Sequence, residues 1–249
     1  MPADPDPALR LLWRHAVPAE QATRRGPKQK FSVDQVVDAG IELADRDGLA
    51  SLSMRSLAQH LGIGVMTLYG YVPGRNELIA LMVDQAFGGA ELPELPADLR
   101  GRLELIARQQ YDVCRRHPWL LEVSGLRPWL GPHASDRYEW QLSAVEGIGL
   151  DDIEMDQTVA LLVGYASSIA RALHEVQRAE RESGLSELEW WEANADALGE
   201  VMQHRSYPLA GRVGSAAGEA YQAATDPERE LEFGLARIVD GLLVHLDRK

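Results

Sequence analysis

Ser53-Met54-Arg55-Ser56-Leu57-Ala58-Gln59-His60-Leu61-Gly62-Ile63-Gly64-Val65-Met66-Thr67-Leu68-Tyr69-Gly70-Tyr71 is the stretch whose reading decides the fold. Ser53 is a helix-capping residue, and the helix it opens runs to about Leu61. Ala58 is small where a second helix must approach, and Gly62 can take positive φ without a Cβ penalty. Leu57, Leu61, Ile63 and Leu68 form an apolar set able to close a miniature core. Two short helices crossing steeply about such a turn make a helix-turn-helix. The face left over carries Val65, Met66, Thr67, Tyr69, Gly70 and Tyr71, and a major groove admits one such helix. Taken alone, the same residues also describe two amphipathic helices joined by a glycine turn.

The flanks decide between these. Ser32-Val33-Asp34-Gln35 matches a capping box, Val33, Val37, Ile41 and Ala44 follow at helical spacing, and Gly48 is a natural stop. After a third helix at about Val65–Tyr71, Pro73-Gly74 breaks the chain and a fourth helix runs from about Arg75 to Phe87, ending at Gly88-Gly89. Residues 91–98 form a short linker. Beyond it, helical patterns occupy about 98–117, 134–148, 151–183, 186–203 and 227–247. Residues 204–226, with Pro208, Gly211, Gly214 and Gly218, read as a loop with at most one helical piece. No run of strands appears. The fold class is all-α: a flexible arm over 1–30, a three-helix helix-turn-helix domain over 31–90 and a larger helical domain over 91–249.

Residues 32–88 resemble the DNA-binding domain of the TetR (tetracycline repressor-like) family of bacterial transcriptional regulators. Leu-Gly-Ile-Gly-Val-Met-Thr-Leu-Tyr followed by Arg75, Glu77 and Leu78 carries the likeness, and the rest resembles the tetracycline-repressor type of C-terminal domain more weakly. The resemblance implies a DNA-binding repressor, dimeric on a palindromic operator and released by a small-molecule effector. It implies that Arg55 reaches a base or phosphate, that Thr67 and Tyr69 approach the DNA from the third helix, and that Tyr71 and Arg75 meet phosphate. Gly64, Val65 and Met66 replace polar side chains common at the tip of such a helix. Val65 and Met66 are therefore expected to read thymine methyls and DNA shape.

The net charge of −13 does not oppose this reading. Residues 1–75 carry 9 Lys/Arg against 8 Asp/Glu, whereas residues 76–249 carry 16 against 30. Local charge meets phosphate. Arg24, Arg25, Lys28 and Lys30 form a basic run that is either an arm along the DNA or a solvated tail. Acids and prolines at the N-terminus exclude a secretory signal, no apolar run spans a membrane, and one cysteine fits a reducing cytoplasm.

Met155, Val159, Leu162, Ala166, Ile169, Leu173 and Val176, with Leu231, Leu235, Ile238, Leu242 and His245, alternate spacings of four and three. Such stripes fit a single-chain core, or a homodimer interface of four helices with Gly234 and Gly241 at close approach. The middle of the chain concentrates aromatic and polar residues suited to a partly apolar or aromatic effector: Tyr111, His117, Arg127, Trp129, His133, Trp140, Tyr165 and His174. Trp129 and Trp140 bracket Gly131-Pro132, which would shape the cavity mouth. The competing reading is ordinary core. Cys114 and His117 lie one turn apart without an orienting third group, so no enzyme is expected. No metal-ligand spacing or nucleotide loop appears, and no cofactor is expected. The alternative function is a helical dimeric scaffold or ligand-binding protein that has lost DNA reading.

Overall fold

The computed structural model describes residues 7–16, 30–89, 91–123, 131–202 and 205–249. Arg24, Arg25, Lys28, Arg127 and Trp129 lie outside them. Among the described residues every regular element is a helix.

Within residues 1–30, Pro7–Leu12 forms helix α1. Ala8 and Leu12 are buried with Leu11 and Trp13 packed alongside, and Arg14 and His15 both reach Asp34. An apolar triplet (Leu11-Leu12-Trp13) beside a basic pair thus docks part of a segment that composition marks as a free arm. The head follows as α2 (Val33–Asp47), α3 (Met54–His60), α4 (Val65–Leu68) and α5 (Arg75–Gly88). Ser32 caps α2 in a full capping box with Gln35, as its spacing predicts. Helix α4 is one turn long rather than two. The Tyr71 amide reaches back only three residues, to the Leu68 carbonyl, because Gly70 and Pro73 favour a turn there.

The body comprises α6 (Leu99–Arg116), α7 (Pro132–Ser143), α8 (Asp152–Ser183), α9 (Glu187–Met202), α10 (Pro208–Tyr221) and α11 (Pro227–Leu246). Pro132 sits at the first turn of α7, where its missing N–H costs nothing. Gly131-Pro132 is thus a helix start. Most of 204–226 is helical: Pro208 opens α10 and Gln222 closes it in the left-handed conformation, although three internal glycines lower its propensity. No helix among the described residues is long and apolar enough to cross a membrane.

Two cores form. One joins α1 to α5 and takes in Trp119; the other joins α6, α8 and α11, with Ala144 and Val145 from just after α7. Val159, Leu162, Ala166 and Ile169 of α8 and Leu231, Leu235 and Val239 of α11 face each other inside this second core. Most of the stripe residues therefore build the protomer, while Ile153, Leu161, Phe233 and Val244 of the same two helices are exposed. Gly234 serves the protomer as well. A Cβ there would fall on the Tyr165 hydroxyl, which donates to the Glu230 carbonyl at 2.6 Å. Replacing Gly234 by Ala is expected to lower unfolding free energy by about 1–3 kcal/mol in urea titrations. Gly211→Ala, in open space on α10, should cost nothing.

Candidate nucleic-acid interface

Helix α4 has too few residues to hold itself, so its orientation comes from its neighbours. Leu68 is fully buried, Leu57 and Ala58 of α3 lie beneath it, and Ile63 and Val65 pack on the same core. The turn is tied by the Ile63 amide donating to the Ala58 carbonyl at 3.0 Å, and Gly62 there has φ of 64°. Ser53 caps α3 by accepting from the Ser56 amide, while Ser56 Oγ accepts from the Ser53 amide at 2.9 Å. Ser56 is thereby engaged in the cap.

With the apolar side fixed, the opposite side stands in solvent. Arg55, Gln59, Thr67 and Gly70 are exposed, Met66 is 83% exposed and Tyr69 45%. Residues 53–74 contain no Asp or Glu, although the chain carries a charge of −13. The exposed face carries one guanidinium and several groove-sized side chains and no acid of its own segment, with Glu42 of α2 reaching its edge at His60.

Two residues matched to phosphate contact have structural partners. Tyr71 is only 6% exposed, and its hydroxyl accepts from the Phe31 amide at 3.3 Å. Arg75 donates from Nε to the Leu52 carbonyl and from Nη2 to the Leu49 carbonyl, both at 2.8 Å. The Leu49 carbonyl also accepts from the Leu52 amide at 3.2 Å, so Arg75 gives it a second hydrogen bond and supplies a partner to the Leu52 carbonyl. Lys30 Nζ lies 5.3 Å from the centre of the Phe31 ring, at the point where the basic run enters α2.

Among the described residues, most of the aromatic and polar candidates of the body have separate structural partners. His117 Nδ1 lies 2.9 Å from Asp45 Oδ1 on α2, and Trp119 Nε1 donates to the same oxygen at 2.8 Å. His117 is thus part of the joint between head and body. Trp140 Nε1 donates to the Pro93 carbonyl at 2.9 Å and pins the linker. His133 is exposed and lies against Gly88 at the end of α5. Tyr165 is held by Glu230 at the α8–α11 contact. Tyr111 Oη and His174 Nδ1 are buried without hydrogen-bond partners.

Asp84, not singled out from the sequence, makes the second tie across the joint. It is buried on α5, and its Oδ1 accepts from the Ala134 amide at the start of α7 at 2.9 Å. Burial pushes its carboxyl upward, against the pull of that amide and of His133. One acid among Leu81, Met82, Val83 and Ala86 was the available signal.

Residues 92–246 match the family described as tetracyclin repressor-like, C-terminal domain. The chain belongs to the TetR family. Over 241 residues, covering 95% of this chain and 84% of the relative, it is 39% identical to the HTH-type transcriptional repressor DrrR1 of Streptomyces coeruleorubidus. Apo ActR from Streptomyces coelicolor aligns with a TM-score of 0.68 at 26% identity, covering 88% of this chain and 97% of its own. ActR in complex with actinorhodin gives the same TM-score, 0.68, at 26% identity over 89% and 99%. In this TetR-family head Arg75 is tied into the fold, whereas Arg55 is exposed. Arg75→Ala should destabilise the fold by about 1–2 kcal/mol in denaturant titrations, since two carbonyls lose charged partners. Arg55→Ala should leave the midpoint unchanged.

Proposed function

We propose that this chain is a dimeric transcriptional repressor that reads a palindromic operator through α3 and α4 and releases it on binding a small, partly apolar or aromatic effector. The observation that carries the reading is the α3–α4 face, rigidly backed by Leu57, Ala58 and Leu68, with Arg55, Met66, Thr67 and Tyr69 exposed on a segment free of acids. Arg55 suits a bidentate guanine or phosphate contact, and Met66 with half-buried Val65 suits thymine methyls. The basic run ending at Lys30 would follow the backbone or enter a minor groove. Tyr71 and Arg75 act by holding the head's shape.

A dimer is supported by surfaces that one chain leaves uncovered. Leu161, Phe233 and Val244 are exposed on α8 and α11, and α9 and α10 bury none of their described side chains while carrying Trp190, Trp191, Leu209 and Val213. Apolar exposure of this kind marks an association surface. The effector reading draws support from the actinorhodin complex of ActR. A regulator rather than an enzyme, acting in the cytoplasm, also fits Cys114. Its thiol is buried and pushed upward by that burial, while His117 turns away to Asp45. Lowering operator affinity about a hundredfold requires roughly 2.7 kcal/mol of coupling, and DNA must weaken effector binding by the same factor.

The test is selection of bound duplexes from a randomised pool by the full chain and by its Arg55→Ala and Tyr69→Ala variants. A palindromic consensus is expected, with about tenfold or greater loss of affinity for that consensus in the arginine variant. No enrichment at low salt by folded wild-type protein would leave the helical scaffold as the better account.

A further inference from the structure

The second core contains a cation without a counter-charge. Arg137, on α7, is 3% exposed. Its Nε and Nη1 have no hydrogen-bond partner, and Nη2 reaches Gln110 Oε1 only at 3.4 Å. Among the described residues no carboxylate pairs with it. Its nearest aromatic contact is Phe87 at the end of α5, whose ring centre is 5.4 Å from the guanidinium carbon. Gln110 cannot turn fully to it, because the same amide donates to Cys114 Sγ at 3.2 Å and Ser167 Oγ at 3.1 Å.

A buried charge without a partner is strongly unfavourable, and leucine or methionine would fill such a position at lower cost. Burial also draws the guanidinium below its ordinary pKa, with only the Cys114 thiol acting against that shift. Unpaired guanidinium N–H groups in a low-dielectric site are donors suited to a carboxylate or ionised phenol. We infer that Arg137 is the anchor for an organic anion, and that the effector carries a carboxylate or phenolate on an apolar body. The choice of ligand class rests on the ligand-responsive reading above. Gln110 of α6 lies beside the position and is itself tied to Ser167 of α8, and Phe87 links it to α5. An anion drawing the guanidinium away from Phe87 therefore acts directly on the helix shared with the reading head.

The experiment compares sodium benzoate with benzamide at equal ionic strength, reading thermal unfolding of the full chain, its Arg137→Met variant and its Arg137→Lys variant. Benzoate should raise the wild-type Tm by about 3 °C at roughly tenfold its dissociation constant, while benzamide raises it less. In the Met variant the preference for benzoate should vanish while the unliganded Tm stays equal to or above wild type. The Lys variant should keep a weakened preference. Equal shifts from both compounds in wild type, no benzoate shift at all, or a benzoate preference persisting in the Met variant would overturn the assignment. Release of the selected operator by benzoate is scored separately. Benzoate binding at Arg137 without operator release would keep the anion site and contradict its action on the reading head through α5.

Discussion

Helix α5 is buried around most of its circumference, and the rest of the molecule is arranged about that fact. Leu78 to Val83 are all buried, as are Asp84 and Ala86. An amphipathic surface helix would show one apolar stripe. This one must be covered by α1 and α2 on the head side and by α7 on the body side. Burial of each large side chain contributes about 1.5–3 kcal/mol, so separating head from body would expose the side of α5 that α7 covers, together with Trp119. The two units are consequently joined through packing, and the linker at 91–98 does not by itself set their geometry.

Polar ties give this joint a fixed register. Asp84 accepts from the first turn of α7, a position where helix amides favour a negative charge. Gly131 is required beside it, since a Cβ there would overlap the Asp84 carboxylate. Across the other edge, Asp45 collects both His117 and Trp119. A buried acid holding one direction is sensitive to small movements of its partner. Helix α5 packs on both α7 and α2, α2 packs on α3, and α3 holds the single turn of α4, so the joint and the reading helix are connected through the head's core.

Much of this was legible in the sequence because the head obeys local rules. Serine caps, the positive φ of Gly62 and the spacing of Leu57, Leu61 and Leu68 all act within a few residues. The roles of Arg75 and Tyr71 were not legible. Their partners, the carbonyls of Leu49 and Leu52 and the Phe31 amide, lie more than twenty positions away. The α8 and α11 stripes were legible as apolar faces, yet the same periodicity serves an intrachain core and a dimer seam. The aromatic candidates scattered for a related reason. Trp140 and His117 have polar atoms that find tertiary partners in the linker and the joint, and composition shows only that they are amphipathic. Arg137 drew no attention because nothing local marks an arginine as buried.

The central claim is that the α5–α7 joint fixes where the reading head points. It is tested most directly by spin-label distances between the two protomers of the dimer, with the label on Ala50→Cys. Ala50 is exposed on the head, and Cys114 is buried. In the free protein, one narrow distance distribution is expected. Adding Asp84→Ala should broaden it, and binding the selected operator should restore a narrow one in both proteins. An equally narrow distribution in the free Asp84→Ala dimer would contradict the account, because the head would then be held by something other than this joint.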